Sequence, residues 1–184
     1  MNKHHRFQFY ISLLLRHRIL TVQHGEAIWR SIPCDVPYPP VTYSICLNGK
    51  IYYGAVQKSN CIVVCVDLTS ESLFTKVLPL EFPLLSLTTK LTSFDGQPSF
   101  TNDAGFDLNH TGEFKLCLMD KVSLEWVVKG IHVTDWKQRV STPFSFLGTI
   151  PSGELVFARD VLEGGRQVLL YYNRDNETLY RYEI

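Results

Sequence analysis

The stretch SICLNGKIYYG, residues 44–54, decides how the rest of the chain is read. Asn48-Gly49 sits between two apolar, strand-like runs. An Asn-Gly pair is the strongest short hairpin signal, because a type I′ turn needs positive φ at both central residues. Two further turns of this kind follow: Asp95-Gly96 between LTSF and QPSF, and Ser152-Gly153 between FLGTI and ELVFA. Their glycines lie 47 and 57 residues apart, so the signal returns about every fifty residues.

A second motif runs out of phase with the first. The stretches IVVCVDLTSESLFTKV (62–77), FKLCLMDKVSLEWVVKG (114–130) and VLLYYNRDNETLYRYEI (168–184) share one order. Each is an apolar strand, a polar Asp/Asn/Ser turn and a strand carrying an aromatic residue. ILTVQHGEAIWRSI (19–32) has the same form and turns at His24-Gly25. The aromatic markers Trp29, Phe74, Trp126 and Tyr180 are separated by 45, 52 and 54 residues. Each repeat is therefore one Gly-turn hairpin followed by one Asp/Asn-turn hairpin, four antiparallel strands in about fifty residues, which is the size of a propeller blade. The fold expected is all-β: a kelch-like partial β-propeller of three to four four-stranded antiparallel blades, with residues 19–32 as the outer half of the first. A β-sandwich or barrel built of the same hairpins is the alternative, since alternation does not fix how hairpins close. Val, Ile, Leu, Tyr and Phe suit strands, and no long capped helical pattern competes with them.

The 184 residues are enough for one domain with a sizeable core. At about fifty residues per blade they supply between three and four blades, at or below the lower limit for a closed ring, so incomplete or irregular closure is expected. Eighteen basic and eighteen acidic side chains cancel, which leaves no global field to steer the chain toward nucleic acid or anionic lipid. The balance conceals an asymmetry: residues 1–18 hold Lys3, Arg6, Arg16 and Arg18 and no acid, and the remainder is acidic by the same four charges. The start MNKHHRFQFYISLLLRHR imitates a signal peptide, but its apolar run from Phe7 to Leu15 is short and interrupted by Gln8 and Ser12, and Arg16-His17-Arg18 follows it. No run has the length of a membrane-spanning helix. Residues 1–17 are read as a leader outside the blade pattern and 18–184 as the β-domain.

Chemistry is sparsely written. Cys34, Cys46, Cys61, Cys65 and Cys117 are odd in number and hold no C-x-x-C pair, so neither a zinc ribbon nor a thioredoxin-type centre is expected. Cys46, Cys65 and Cys117 lie in apolar runs and are expected to be buried, reduced thiols of a cytoplasmic or nuclear protein. His4, His5, His17, His24, His110 and His132 form no H-E-x-x-H pattern, and His132 reads as an ordinary strand residue. Asp103, Asp107 and Glu113 could pair carboxylates, but Asn, Gly and Thr around them point to a solvated loop. Gly164-Gly165 lacks a following G-K-[ST] and reads as a hairpin connection. Tyr52-Tyr53 and Tyr171-Tyr172 resemble base-stacking platforms, yet neighbours on a strand face opposite ways, so core packing is expected. Two N-x-S/T sequons begin at Asn109 and Asn176.

Six blocks in order resemble a known family: ILTVQHGEAIWRSIPC, LNGKIYYGA, IVVCVDLTSESLF, LCLMDKVSLEWVVKGIHV with Trp136 shortly after, LGTIPSGELVFA and LLYYNRDNETLYRYEI. Together they resemble the F-box-associated β-propeller domain, type 3, of plant F-box proteins. The resemblance implies a non-catalytic recognition module, the part of a cullin–RING ubiquitin ligase receptor that holds the protein to be ubiquitinated. It implies a protein substrate as partner and carries no substrate-binding residues over to this chain; charge balance, hydropathy and the motifs present give no reason to expect nucleic acid, membrane, cofactor or metal. No F-box-like segment precedes residue 19, so docking on the ligase adaptor has no anchor here and a truncated member is expected. The second functional reading is a secreted carbohydrate-binding β-protein, to which the aromatics and the two sequons would belong.

Overall fold

The computed structural model describes residues 6–11, 17–23, 26–34, 38–82, 89–102, 106–120, 123, 125–159, 162 and 164–184. The chain is all-β, with two short helices among the described residues, and divides into two compact units, Met1–Val77 and Leu78–Ile184.

In the first unit, β1 (Arg6–Ile11), β2 (His17–Gln23) and β3 (Glu26–Ile32) form an antiparallel three-stranded sheet in chain order. Strand β1 lies within the segment read as a leader and pairs with β2 from Arg6↔Val22 to Ile11↔His17. A four-stranded meander follows: β4 (Ile45–Leu47), β5 (Lys50–Gln57), β6 (Asn60–Asp67) and β7 (Ser72–Val77). Asn48 and Gly49 have φ of 51° and 74°, the two positive values that the type I′ reading requires. In β6 the run from Ile62 to Val66 is buried without a break, as expected of a strand covered on both faces. Ile19 and Ile32 of the first sheet pack with Ile51, Tyr53, Ala55, Ile62, Val64 and Val66 of the second, which makes one core between two stacked sheets.

The second unit holds two such meanders. The first is β8 (Thr89–Phe94), β9 (Gln97–Asn102), β10 (Glu113–Met119) and β11 (Trp126–His132), with α1 (Phe106–Thr111) between β9 and β10. After α2 (Trp136–Arg139) comes the second: β12 (Phe144–Thr149), β13 (Leu155–Arg159), β14 (Val168–Asn173) and β15 (Thr178–Glu183). The first strands of the two meanders, β8 and β12, lie side by side and parallel through Gly148↔Ser93, giving one curled sheet of order β11-β10-β9-β8-β12-β13-β14-β15. Gly148 makes that approach possible. Its φ is +141°, it sits at a bulge in β12, and a Cβ there would lie 2.7 Å from the Ser93 carbonyl oxygen. Inside the curl Trp136 is 1% exposed and packs on Phe144 and Phe157, with Phe114 and Phe146 beside them.

These sheets are the blades of a partial propeller: three four-stranded meanders and one three-stranded sheet among the described residues. Asp95-Gly96 repeats the type I′ signature, with φ of 49° and 70°. The third turn differs. Gly153 N–H donates to the Ile150 carbonyl and Ile150 N–H to that of Glu154, so the loop has three residues: Pro151 sets the first turn dihedral and Gly153, at φ 96°, closes the bulge. His24-Gly25 lies outside the described residues, although the strands either side of it pair as far as Gln23↔Glu26.

Candidate protein-interaction surface

In a four-stranded antiparallel meander the first and third turns share one end, and here the third turns are built alike. The Asp67 carboxylate accepts from the backbone N–H of Thr69 (2.9 Å) and Ser70 (3.1 Å), and Asn173 accepts from those of Asp175 (2.9 Å) and Asn176 (3.2 Å). Asp120 accepts from the Ser123 N–H at 2.7 Å. Such Asx bonds explain why Asp or Asn opens each of these turns. The Ser70 N–H, the Lys50 ammonium at 3.0 Å and the Thr69 N–H together hold the Asp67 carboxyl down to about 2.

The corresponding end of the second unit is locked by Arg174. Its guanidinium takes both carboxylate oxygens of Asp95 (2.9 and 3.1 Å), donates through Nε to the Gly153 carbonyl (3.0 Å) and lies 5.2 Å from the Phe94 ring centroid. The Asp95 N–H donates to Thr149 Oγ1 at 2.7 Å. One side chain thus joins the first turn of one blade to two turns of the next. The cation is committed to internal partners, and the arrangement stiffens the turn end.

A more open site lies on the β10–β11 hairpin. Residues directly opposite on paired strands share a face, which puts Glu113 beside His132 and Lys115 beside Gly130. Phe114 and Ile131 turn inward to the core. The result is a hollow of about 270 Å3 around these six residues. Glu113 Oε1 is 3.6 Å from His132 Nδ1. Among the described residues Lys115 has no ion pair and is exposed. A second cleft, about 180 Å3, lies between the segment 139–144 and β14–β15. Its two arginines are already bound, Arg139 to the Glu177 carbonyl at 2.9 Å and Arg181 to Glu183 at 3.0 Å.

The residues singled out from sequence fall into place around these features. His132 is a strand residue, as expected, at the rim of the larger hollow. His17 is fully buried, with its ring stacked on Tyr53 and Nε2 hydrogen-bonded to the Tyr53 hydroxyl; burial lowers its pKa. His110 lies in the last turn of α1, and His4, His5 and His24 lie outside the described residues. Cys65 and Cys117 are buried, which pushes their thiols up to about 11 and about 12. Cys46 is exposed instead of buried, because β4 is a three-residue strand at the end of its sheet whose middle residue faces out. Among the described residues no cysteine forms a disulfide. Glu113 opens β10 and Asp107 falls in α1, so this part of the expected loop is a helix followed by a strand; Asp103 lies outside the described residues. Gly164-Gly165 connects the antiparallel pair β13 and β14 as a turn, with φ of 59° and 82°. Tyr53 and Tyr172 are buried, whereas Tyr171 packs edge-on against Tyr182.

Both sequon asparagines have structural work. Asn109 accepts from the Phe144 N–H at 3.0 Å and donates back to its carbonyl at 3.4 Å, while Asn176 accepts from the Thr178 N–H and hydroxyl. Among the described residues no three His, Cys, Asp or Glu side chains come together as a metal site. Sequence reasoning passed over Lys115 and Gly130. The available signal was a glycine inside a β-branched strand, WVVKGIH, which marks a place for close approach.

Comparison with known proteins agrees with this architecture. The family described as the F-box associated beta propeller domain matches residues 1–184. Among individual proteins, the candidate F-box protein At1g70960 of Arabidopsis thaliana is 31% identical over 160 residues, which are 85% of this chain and 42% of that protein. The candidate F-box protein At1g70970 is 28% identical over 181 residues, 91% and 45% of the two chains, and F-box protein At3g49450 is 29% identical over 150 residues, 77% and 36%, both again from Arabidopsis thaliana. The chain spans less than half the length of these relatives. With repeated blades in the fold and a family match that runs its full length, the chain belongs to the F-box associated β-propeller domain family.

Proposed function

We propose that this chain is the substrate-recognition part of an SCF-type ubiquitin ligase receptor, holding a protein substrate by surface contact and performing no chemistry of its own. The family match over residues 1–184 carries the reading. The fold supports it: each unit packs its sheets on a buried core, and in the second unit Arg174 locks the turns, so exposed positions can vary without disturbing that core. In the second unit Arg174 and Asp95 form an ion pair between neighbouring turns, and Glu113 Oε1 faces the His132 ring across paired strands. The site of action proposed is the cytoplasm or nucleus, where reduced thiols such as these five persist.

Direct binding is the test. A protein recovered on the tagged chain from plant tissue is purified and titrated against the purified chain. The expected result is saturable one-to-one binding that leaves the captured protein covalently unchanged. Chemical alteration of the captured protein by the chain alone, or binding only to heat-unfolded chain, would overturn the reading.

A further inference from the structure

In the two units, β3, β7, β11 and β15 are the last strands of their sheets. A last strand exposes a row of unpaired N–H and C=O groups, which proteins usually guard with charge. Strand β3 carries Glu26 and Arg30, β7 carries Lys76, and β15 carries Arg181 and Glu183. Strand β11, WVVKGIH, has Lys129 alone, and that ammonium is drawn 5.4 Å from the centroid of the Phe94 ring on the core side. Val127 and Val128 stand 49% and 40% exposed. A Cβ placed on Gly130 would meet nothing within 4 Å. The hollow of about 270 Å3 opens there, with the exposed and unpaired Lys115 directly across from Gly130.

We propose that the outer edge of β11 accepts an extended strand from a protein substrate, with an acidic side chain of that strand seated beside Gly130 against the Lys115 ammonium. The inference rests on the recognition reading above and names its site. Three observations point to this occupant. The edge offers main-chain hydrogen bonds, which recruit an extended peptide whatever its sequence. Val128, on the same face as Gly130, extends the notch with apolar surface for an alternate side chain, and Val127 offers the same on the opposite face. The charge that faces the notch from across the hairpin is positive: Lys115 lies directly opposite Gly130 and has no ion pair among the described residues, while Glu113 lies opposite His132 with its Oε1 3.6 Å from the ring Nδ1.

The test uses the full chain and three fluorescein-labelled peptides: Ac-TVEVTV-amide, the same peptide with lysine for glutamate, and the glutamate peptide with alternate backbone nitrogens methylated. The glutamate peptide is expected to bind about tenfold more tightly than the lysine peptide, and Lys115→Glu to reverse that order. N-methylation should abolish binding, and Gly130→Gln, which fills the notch, should weaken it about tenfold. Both substitutions are at exposed positions, and circular dichroism confirms that each variant is folded. Equal affinity for the two charged peptides, full binding of the methylated one, or no binding of the glutamate peptide overturns the proposal. A captured substrate that binds Lys115→Glu and Gly130→Gln as tightly as wild type also overturns this site while leaving recognition intact. Charge-selective peptide binding without any captured substrate supports the site and removes the recognition reading instead.

Discussion

Arg174 shows how much one side chain can hold. Its fork meets Asp95 with two bonds, its Nε reaches Gly153, and its plane covers Phe94. A lysine can supply charge but neither the fork nor the flat face. Arg174→Lys should therefore destabilise the fold nearly as much as Arg174→Ala, by about 1 kcal/mol given that the pair is a third or more exposed. Urea denaturation midpoints of the two variants check this. His17 gives a pH signature. Burial holds its imidazole below the usual 6.5, so as pH falls the unfolded chain takes up that proton first. Its stabilising contribution is full above pH 6.5 and is lost progressively below it. Asp67, held near 2 against the usual 3.8, keeps its contribution above pH 3.8 and loses it between the two values. Thermal unfolding from pH 7.5 to 5.5 should show the first limb in wild type and a flatter one in His17→Gln. The turn residues Asn48, Gly49, Asp95 and Gly96 were legible from sequence because their chemistry is local. The His17–Tyr53 bond was not, since its partners lie 36 residues apart and meet only through sheet stacking.

Strands and hairpins followed from alternation and turn residues, but the joints between elements did not. The parallel contact of β8 with β12 depends on a bulge and a backbone approach that no periodicity announces. Gly148→Ala should cost about 2 kcal/mol or more, since the new methyl meets the Ser93 carbonyl and the positive φ is unfavourable for any L side chain. A lowered Tm with an unchanged far-ultraviolet spectrum below the transition is expected; an unchanged Tm would mean that the two inner strands are not so close. Trp136→Ala should cost about 3–5 kcal/mol, because the indole fills the space between Phe144 and Phe157. The Ser152-Gly153 loop was recognisable as a turn but not as a three-residue one, because Pro151 moves the turn start back by one position. The segment around Asp107 reads as loop from its polar residues and is a six-residue helix, tied to β12 by the bond pair between Asn109 and Phe144.

For the molecule as a whole, the fifty-residue period was enough to assign blades and the ordered blocks were enough to place the family. The interaction surface was much less legible. The sparse guard charge of β11 is an absence and has no motif, so the one signal there was the glycine within WVVKGIH, whose meaning depends on the residue paired across from it. The central claim is that these blades bind a protein on behalf of a ubiquitin ligase. Ubiquitin transfer tests it most directly: the chain is joined to an F-box segment, assembled with the ligase adaptor, cullin and RING subunits, and supplied with the protein captured by the chain. Ubiquitin conjugates on the captured protein, lost when the chain is left out of the fusion, are the predicted result. Conjugates confined to the fusion itself, with the captured protein bound but unmodified, would contradict the claim.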